Sequence, residues 1–431
     1  MKKLIICVIA AVLMTMFTGF SREIYAQESE RVVLSDLVRE AVEHNPKIQE
    51  AYYMWKAAGH KIKTERSLDE PMVSYMLPGG EDVQTRVGPQ EKKYTLSQKI
   101  PFPNKLRLKG KAQAKESQIL KEQYEAVKNE IIKDVNFTYY DLFWAQQAIQ
   151  INEEEKSILE KLEKVAQRKY ESNLIPQQDV IKVQVELSNI IQKLLLLRQN
   201  KESLAVRLNS LLDRPLSAKV GSIPALEEVD FSYGLPALIE MVGSFRQELV
   251  MANLSIEKAE YEKSLAKMAY LPDFTIEGNY IEIGDGMTTN ENDGQDAWSG
   301  MVAVDVPIWF GKLRSQVREK EAALQAARQQ QINMGNSVEF EVQDIYFKIN
   351  AYKEIALLYE TALIPQAEQA FDASQTGFET GAISFLDWLD TERTFLQTRL
   401  AYYQALADFH KSIALLERIV GGSLKGGDHE L

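Results

Sequence analysis

The chain has 431 residues, of which 26% are charged, and its formal net charge at pH 7 is −12. An acidic chain without basic clusters is a poor binder of nucleic acid, so nucleic-acid recognition is excluded. After an apolar run that ends near Phe20, no stretch approaches the ~20 apolar residues of a membrane-spanning helix. If the mature chain sits in a membrane, it must do so as part of a β-barrel.

Residues 1–26 are predicted to be a secretory signal peptide. A basic start precedes a short apolar run, and Ala26 is an acceptable cleavage residue before Gln27. The alternative, a membrane-anchoring helix, is disfavoured because the run is short and no stop-transfer segment follows it. The single cysteine, Cys7, lies within this leader, so we expect neither a lipid anchor nor a disulfide in the mature protein.

After the leader the chain follows one pattern twice, which indicates an internal repeat. Ser97–Pro101 is similar to Ala303–Pro307, and Tyr170–Ile175 is similar to Phe378–Ile383, at a separation of about 206–208 residues. Each half reads helix, strand, loop, strand, very long helix, turn and helix. The predicted organisation is a signal peptide at 1–26, a first repeat at 27–215, a linker at 216–235, a second repeat at 236–420 and a polar tail at 421–431.

Two very long helices are predicted. From about Lys105 to Glu171 there is no proline and only one glycine, and residues that favour helices dominate. The second half repeats this pattern from about Lys312 to Glu379, with a kink predicted at Pro365. A helix of about 65 residues is ~100 Å long. Such a length suits a coiled coil or a tunnel wall rather than the core of a globular domain.

The helix after each turn is predicted to pack as a coiled coil, because its apolar residues recur at alternating spacings of four and three. In the first half this seam consists of Val183, Leu187, Ile190, Leu194, Leu197, Leu204, Leu208 and Leu211. In the second half the spacing is less regular, and the seam consists of Leu396, Leu400, Tyr403, Ala407 and Ala414. His410 falls on the second seam and is interpreted as a packed histidine rather than a ligand.

Four short strands are predicted from the alternation of apolar and polar residues. Three are clear, namely Tyr94–Ile100, Phe274–Tyr280 and Trp298–Ile308, whereas Met72–Leu77 is ambiguous. Strands with one apolar and one polar face suit a membrane barrel, although a soluble half-buried sheet would alternate in the same way. The polar, glycine-rich loops predicted at 79–91 and 284–296 favour the barrel.

Lys99 and Asp305 take equivalent positions in the two repeats, both on the polar face of their strands. We predict that both side chains point into the barrel lumen at similar height, where they can pair. Val304 and Val306 are predicted to face lipid. The opposite register would place Lys99 in lipid, which costs ~2–4 kcal/mol at mid-membrane.

The number of strands predicts the oligomeric state. Four strands cannot close a barrel, and an open sheet edge cannot face lipid. Two copies would supply eight strands, whose lumen is filled by side chains, whereas three would supply twelve and leave a water-filled bore. We therefore predict a homotrimer.

Three sets of residues make the chain similar to the TolC-type outer-membrane efflux protein family across essentially the whole mature chain. They are Asn45–Pro46, Leu96–Pro103 before the first long helix, and the paired turns that begin at Tyr170 and Phe378. Ser97–Arg107 most resembles the branch that serves heavy-metal efflux pumps. Asn104 departs from that branch, which usually has glycine at this position.

The resemblance implies a mainly α fold with a small β part. Three chains would form an α-barrel tunnel through the periplasm, joined to a 12-stranded transmembrane β-barrel with four strands per chain. The implied location is the outer membrane of a Gram-negative bacterium, in contact with outer-membrane lipid. The duct would be passive and would dock on a periplasmic adaptor (membrane fusion) protein and an inner-membrane pump, which we expect to be proton-driven.

The same resemblance implies a gate at the periplasmic end. Asp387 and Asp390 follow the turn at Phe378 and fall where the family places a ring of acidic side chains. Such a ring attracts cations and resists anions. Asp179 is the counterpart in the first half and is predicted to bond across to hold the closed state. The alternative for Asp387 and Asp390 is a solvated helix start, where the helix dipole favours carboxylates.

The two turns are the predicted adaptor contacts. Their residues are Ser172, Asn173, Leu174 and Ile175 in the first turn and Thr380, Gly381, Ala382 and Ile383 in the second. Asn173 and Gly381 are suited to the left-handed backbone conformation that commonly ends a helix.

The sequence holds no phosphate loop, nucleophile elbow, cysteine cluster or His-Glu-x-x-His motif. We therefore expect no enzyme activity, no cofactor and no resident metal. The alternatives to an efflux duct are a periplasmic coiled-coil adaptor or structural protein, and a type I secretion duct. The cargo stays open between metal ions, drugs and secreted polypeptides.

Overall fold

The computed structural model describes residues 32–77, 83–226, 231–287, 289 and 291–424, so the predicted signal peptide and most of the predicted tail lie outside the described residues. The elements of the first half are α1 (Leu34–His44), α2 (Pro46–Arg66), β1 (Met72–Met76), β2 (Gln84–Thr85), β3 (Gly88–Ile100), α3 (Lys105–Glu171) and α4 (Gln177–Leu211). Those of the second half are α5 (Leu235–Phe245), α6 (Gln247–Met268), β4 (Asp273–Ile283), β5 (Ala297–Asp305), α7 (Phe310–Leu358), a π-helical turn (Tyr359–Leu363), α8 (Ile364–Thr380) and α9 (Phe385–Val420).

The long helices are where the sequence predicts them. α3 runs from Lys105 to Glu171 without a break. The second long helix is interrupted by the π-helical turn Tyr359–Leu363, which ends just before Pro365. Proline has no backbone N–H, and its ring clashes with the carbonyl of the residue four positions earlier. A π-helical turn is one way in which a helix accommodates the missing hydrogen bond and the clash. Pro365 is therefore accompanied by a local change of helix type, and the kink predicted there stays a prediction.

The strands form one antiparallel sheet in the order β1-β3-β4-β5, with β2 paired to β3 alone. Residues directly opposite each other share a face of the sheet. The apolar face carries Val73, Tyr75, Tyr94, Leu96, Phe274, Ile276, Tyr280, Trp298, Val302 and Val304. The other face is mainly polar and carries Ser74, Lys93, Thr95, Ser97, Lys99, Asp273, Thr275, Glu277, Asn279, Ser299 and Asp305. This register confirms the predicted alternation and resolves the ambiguous first strand.

The first interstrand loop is shorter than predicted. The sequence placed residues 79–91 in a loop, but β3 already begins at Gly88, and β2 pairs Gln84 with Pro89 and Thr85 with Gly88. Gly88 has a φ of +125°, a conformation that glycine adopts at little cost. Pro89 and the charged residues after it have low strand propensity. The hairpin register overrides that local preference.

Contacts divide the chain into two units, and each unit draws residues from both halves. The first comprises the described parts of Met1–Glu40, Thr138–Asp230 and Ala362–Ala407. The second comprises the described parts of Ala41–Phe137, Phe231–Thr361 and Asp408–Leu431, including the sheet. The repeat boundaries drawn from the sequence stay a prediction. Among the described residues no helix has both the length and the apolar character needed to cross a membrane.

The predicted seams face inwards. On α4, Val183, Ile190, Leu194 and Leu208 are buried, and the other predicted seam residues are half-buried. On α9, Leu396, Ala407 and Ala414 are buried, with Leu400 and Tyr403 half-buried. His410 is buried as well, as predicted for a packed histidine. The alternating spacing of four and three thus identified the packed side of both helices.

Candidate functional site

The turn between α3 and α4 is closed by backbone hydrogen bonds. Asn173 has a φ of +54°, and its N–H donates to the carbonyl of Tyr170 over 2.8 Å. The N–H of Leu174 donates to the carbonyl of Lys169, also over 2.8 Å. These two bonds form a Schellman motif, which satisfies carbonyls that a helix end leaves without partners. Leu174, at the tip of the turn, is 72% exposed.

The turn between α8 and α9 has the same geometry. Gly381 has a φ of +77°, and its N–H donates to the carbonyl of Phe378 over 3.2 Å. The N–H of Ala382 donates to the carbonyl of Gly377 over 2.7 Å. The left-handed conformation predicted for Asn173 and Gly381 is therefore confirmed, and the two repeats end their long helices in the same way.

Both turns pack on one apolar cluster within the first unit. Its buried members are Leu159, Leu162 and Ala166 of α3, Val183, Ile190 and Leu194 of α4, and Phe385, Trp388 and Leu389 of α9. Ile175 of the first turn and Ile383 of the second contact this cluster, while the other turn residues are exposed. The structure thus brings the two predicted adaptor-contact turns together over a common core.

Asp387 caps the start of α9. Its Oδ2 accepts a hydrogen bond from the Ser384 hydroxyl over 2.7 Å and one from the Ser384 N–H over 3.3 Å. The Asp387 N–H donates in return to the Ser384 hydroxyl oxygen over 3.2 Å. This reciprocal pair is a capping box. Asp387 therefore has the geometry of a helix-start residue, and its part in a gate stays a prediction.

The structure gives the positions of Asp390 and Asp179, but it does not test their predicted part in a gate. Asp390 is exposed and lies three residues after Asp387, so both carboxylates are on one side of α9. Asp179 lies in the first turn of α4 and is half-buried. Among the described residues its carboxylate has no hydrogen-bond or ion-pair partner. The bond predicted for Asp179 therefore stays a prediction.

Lys99 and Asp305 meet on the polar face of the sheet. Lys99 Nζ lies 2.8 Å from Asp305 Oδ2 and 4.0 Å from Asp273 Oδ2. Asp273 is on β4, between the strands of the other two residues, and it is directly opposite Asp305. Sequence reasoning had missed Asp273, although it directly follows Pro272 at the start of the strand. That this face lines a lumen stays a prediction.

Glu392 is a buried acid that sequence reasoning also missed. It lies on α9 within the first unit, and burial, followed by the charge of Glu155, raises its pKa to about 8. The signal was present in the sequence, because Leu389, Glu392 and Leu396 follow the spacing of a coiled-coil seam.

Two long segments, residues 37–214 and 238–422, match the family model described as outer membrane efflux protein. Together they cover most of the chain, so the chain belongs to this family. It is accordingly an efflux channel of the Gram-negative outer membrane that extends into the periplasm. The periplasmic adaptor considered as an alternative is thereby set aside.

Similar proteins are known from several bacteria. Outer membrane protein TolC of Vibrio cholerae is 23% identical over 440 aligned residues, which cover 98% of this chain and 96% of that protein. Cobalt-zinc-cadmium resistance protein CzcC of Cupriavidus metallidurans is 28% identical over 123 residues, 28% of each chain. The crystal structure of the outer membrane protein VceC from Vibrio cholerae superposes with a TM-score of 0.77 at 18% identity, over 93% of this chain and 98% of that one. These matches support both the mainly α fold with its small sheet and the predicted likeness to the heavy-metal branch.

Proposed function

We propose that three copies of this chain assemble into one passive duct across the outer membrane and into the periplasm. The observation that supports this most directly is the two-faced sheet. Its apolar face is open in the single chain, where Val302 is 68% exposed. Its other face carries the ion pair of Lys99 and Asp305. An apolar outside and a charged inside suit a wall between lipid and water.

The edges of the sheet require further copies. Among the described residues β1 pairs only with β3, and β5 pairs only with β4. Each of these two strands therefore offers a row of free backbone donors and acceptors. Such an edge must be paired in lipid. Joining β1 of one copy to β5 of the next closes a ring, and three copies supply twelve strands around a water-filled bore.

The two turns supply the proposed contacts with a periplasmic adaptor. Their backbones are fixed by Schellman motifs. Leu174, in the first turn, exposes an apolar side chain to solvent. A prepared, partly apolar surface of this kind loses little conformational entropy when a partner binds. The adaptor would connect the duct to an inner-membrane pump, which supplies the energy for export.

Asp387 and Asp390 are the proposed gate of this duct. Two carboxylates from each of three chains would surround one narrow opening and favour cations there. Metal ions are the proposed cargo, which agrees with the similarity of part of the chain to the cobalt-zinc-cadmium resistance protein CzcC. The acidic ring and the cation cargo are consistent with each other in charge.

Adjacent lysine substitutions on β5 test the proposal. Val302 lies on the apolar face and Ala303 on the polar face, at nearly the same depth. We expect Val302→Lys to impair folding into lipid vesicles, by up to about 2–4 kcal/mol if it lies at mid-membrane. Ala303→Lys, the matched control, should fold like the wild type. Folding is measured by the heat-dependent shift in gel mobility.

A sheet that stays in water predicts a different result for the same pair of variants. Val302 would then be an ordinary exposed residue, and a lysine there would be harmless. Equal folding of the two variants into vesicles would therefore contradict the membrane location of this sheet.

A further inference from the structure

Glu392 occupies a position in the helical seam that normally belongs to an apolar residue. Leu389 precedes it by three residues and Leu396 follows it by four, and both are buried. Glu392 itself is only 1% exposed. Among the described residues neither of its carboxylate oxygens has a hydrogen-bond partner. A carboxylate in such a place is strongly disfavoured in its charged form, whereas the protonated acid is tolerated much better.

A second buried acid acts on Glu392 from another helix. Glu155 of α3 is 9% exposed and takes the seam position between Asn152 and Leu159. Burial is the main reason why the pKa of Glu155 is also raised, and Lys193 and Arg393 oppose that rise. The charge of Glu155 acts on Glu392, so the two buried acids lie close to each other among mainly apolar seam residues.

The remaining charged neighbours do not neutralise this pair. The groups that act on Glu392 besides Glu155 are Glu186 of α4, which raises its pKa, and Arg393 of α9, which lowers it. Arg393 already binds Glu186, with Nη2 lying 2.8 Å from Oε1. Among the described residues no group of three or more acids, histidines or cysteines is placed to hold a metal ion. A proton is the ligand that this arrangement can hold.

We propose that Glu392 and Glu155 form a proton-operated latch in this seam, closed when Glu392 carries a proton and loosened when the proton leaves. Loss of the proton would create an unpaired buried charge next to a second acid. The packed seam can relieve that charge only by opening to water.

The latch lies close to the predicted gate. Glu392 is two residues after Asp390 on α9 and about one helical turn after Trp388, which belongs to the apolar cluster beneath the two turns. Loosening of α9 at Glu392 would therefore change the position of Asp387 and Asp390. This consequence rests on the proposed function, whereas the latch itself is a statement about helix packing alone.

The sign of the pH dependence follows from the raised pKa. In the packed state the pKa of Glu392 is about 8, above the value of about 4.5 in an open, hydrated state. The packed seam therefore holds its full stability below the lower value and loses it as the pH rises towards the higher one. Between the two values a single proton changes the ratio of packed to open seam by up to about tenfold per pH unit.

Hydrogen–deuterium exchange of the full-length protein in detergent tests the latch. Peptides that cover residues 385–400 are followed from about pH 5 to about pH 9, with correction for the intrinsic exchange rate. We expect protection in the wild type to fall with rising pH and protection in Glu392→Gln to stay constant. Glu160→Gln is the matched control, because Glu160 is an exposed acid on α3, and it should behave like the wild type.

A second variant keeps the test decisive if Glu392→Gln does not fold. Glu155 raises the pKa of Glu392 in the packed seam, so Glu155→Gln should lower that pKa. The loss of protection should then be smaller and should level off at a lower pH than in the wild type. Protection that is independent of pH in the wild type, or a loss of protection that is as large in Glu155→Gln as in the wild type, would overturn the latch.

Current recordings in planar bilayers separate the latch from the duct. If the latch controls the duct, wild-type conductance should rise from about pH 5 to about pH 9, and the rise should be lost in Glu392→Gln. Absence of pores at every pH would contradict the proposed function, while the exchange measurement would still decide on the latch. Wild-type pores whose conductance does not change with pH would contradict the link between the latch and the duct.

Discussion

Arg418 binds two carboxylates at once in the second unit. Its Nε lies 2.9 Å from Glu130 Oε2, and its Nη2 lies 2.5 Å from Glu248 Oε1. Arg246 Nε lies 2.6 Å from the other oxygen of Glu248. Burial alone would raise the pKa of Glu248, but the hydrogen bond from Arg418 and the two arginine charges outweigh burial and hold that pKa below its ordinary value. The result is a network of paired charges in which Arg246 is buried and Arg418 and Glu248 are partly buried.

Removing Arg418 should destabilise the protein strongly. Arg418→Met leaves Glu248 with one cation fewer in a buried site, a change that typically costs about 3–5 kcal/mol. Arg328→Met is the control, because Arg328 forms an exposed pair with Glu260, and such a pair contributes at most about 1 kcal/mol. Thermal unfolding in detergent measures both, and equal melting temperatures of the two variants would contradict the importance of the network.

The same network predicts how the stability of the protein depends on pH. The pKa of Glu130 and of Glu248 is depressed in the folded state, so their contribution is present above the ordinary pKa and is lost as the pH falls through the depressed values. Wild-type protein should therefore melt at a lower temperature at about pH 4 than at about pH 7. In Arg418→Met the difference between the melting temperatures at these two pH values should be smaller.

The proposed gate can be tested without removing the cap of α9. Asp387→Asn keeps an acceptor for Ser384 and removes the charge, and Asp390→Asn removes the second charge. We expect the double variant to form trimers with reduced cation selectivity and reduced block by multivalent cations in single-channel recordings. Glu379→Gln, an exposed acid on α8, is the control. Unchanged cation selectivity in the double variant would contradict the proposed gate and would mean that the two aspartates serve only at the start of the helix.

Each turn depends on one residue with left-handed backbone. A side chain at Gly381 would meet no atom within 4 Å, so only the backbone conformation opposes it. Gly381→Ala should therefore destabilise the turn by about 1–2 kcal/mol. Gly335→Ala is the matched control, because Gly335 lies inside α7 and also has open space around it. There alanine should stabilise the helix by about 0.5–1 kcal/mol. Thermal unfolding measures both changes in stability. Melting temperatures that change in the same direction for the two variants would contradict this account.

The elements show what a sequence can and cannot predict here. The bounds of α3 and the register of the strands were predictable, because long periodic patterns average over local exceptions. The start of β3 at Gly88 was not, since strand pairing with β2 overrode the weak propensity of Pro89. The capping partner of Asp387 was readable from Ser384 three residues earlier. The seam position of Glu392 was readable from its spacing, whereas its proximity to Glu155 depends on which helices pack together, and periodicity alone does not supply that.

At the scale of the whole molecule, the repeat and the open sheet lead to the same conclusion. The order of elements in the first half recurs in the second, and the sheet joins strands from both halves through the pairing of β3 with β4. The sheet therefore forms within one chain but closes only with others. A stable monomer in a membrane would leave the outer edges of β1 and β5 without partners.

Native mass spectrometry of the full-length protein, released gently from detergent, tests this central claim most directly. We expect a single species with the mass of three chains, and dissociation to monomers only under conditions that unfold the sheet. A folded monomer that persists in detergent as the main species would contradict the trimeric duct, because four strands cannot satisfy their own edges in lipid.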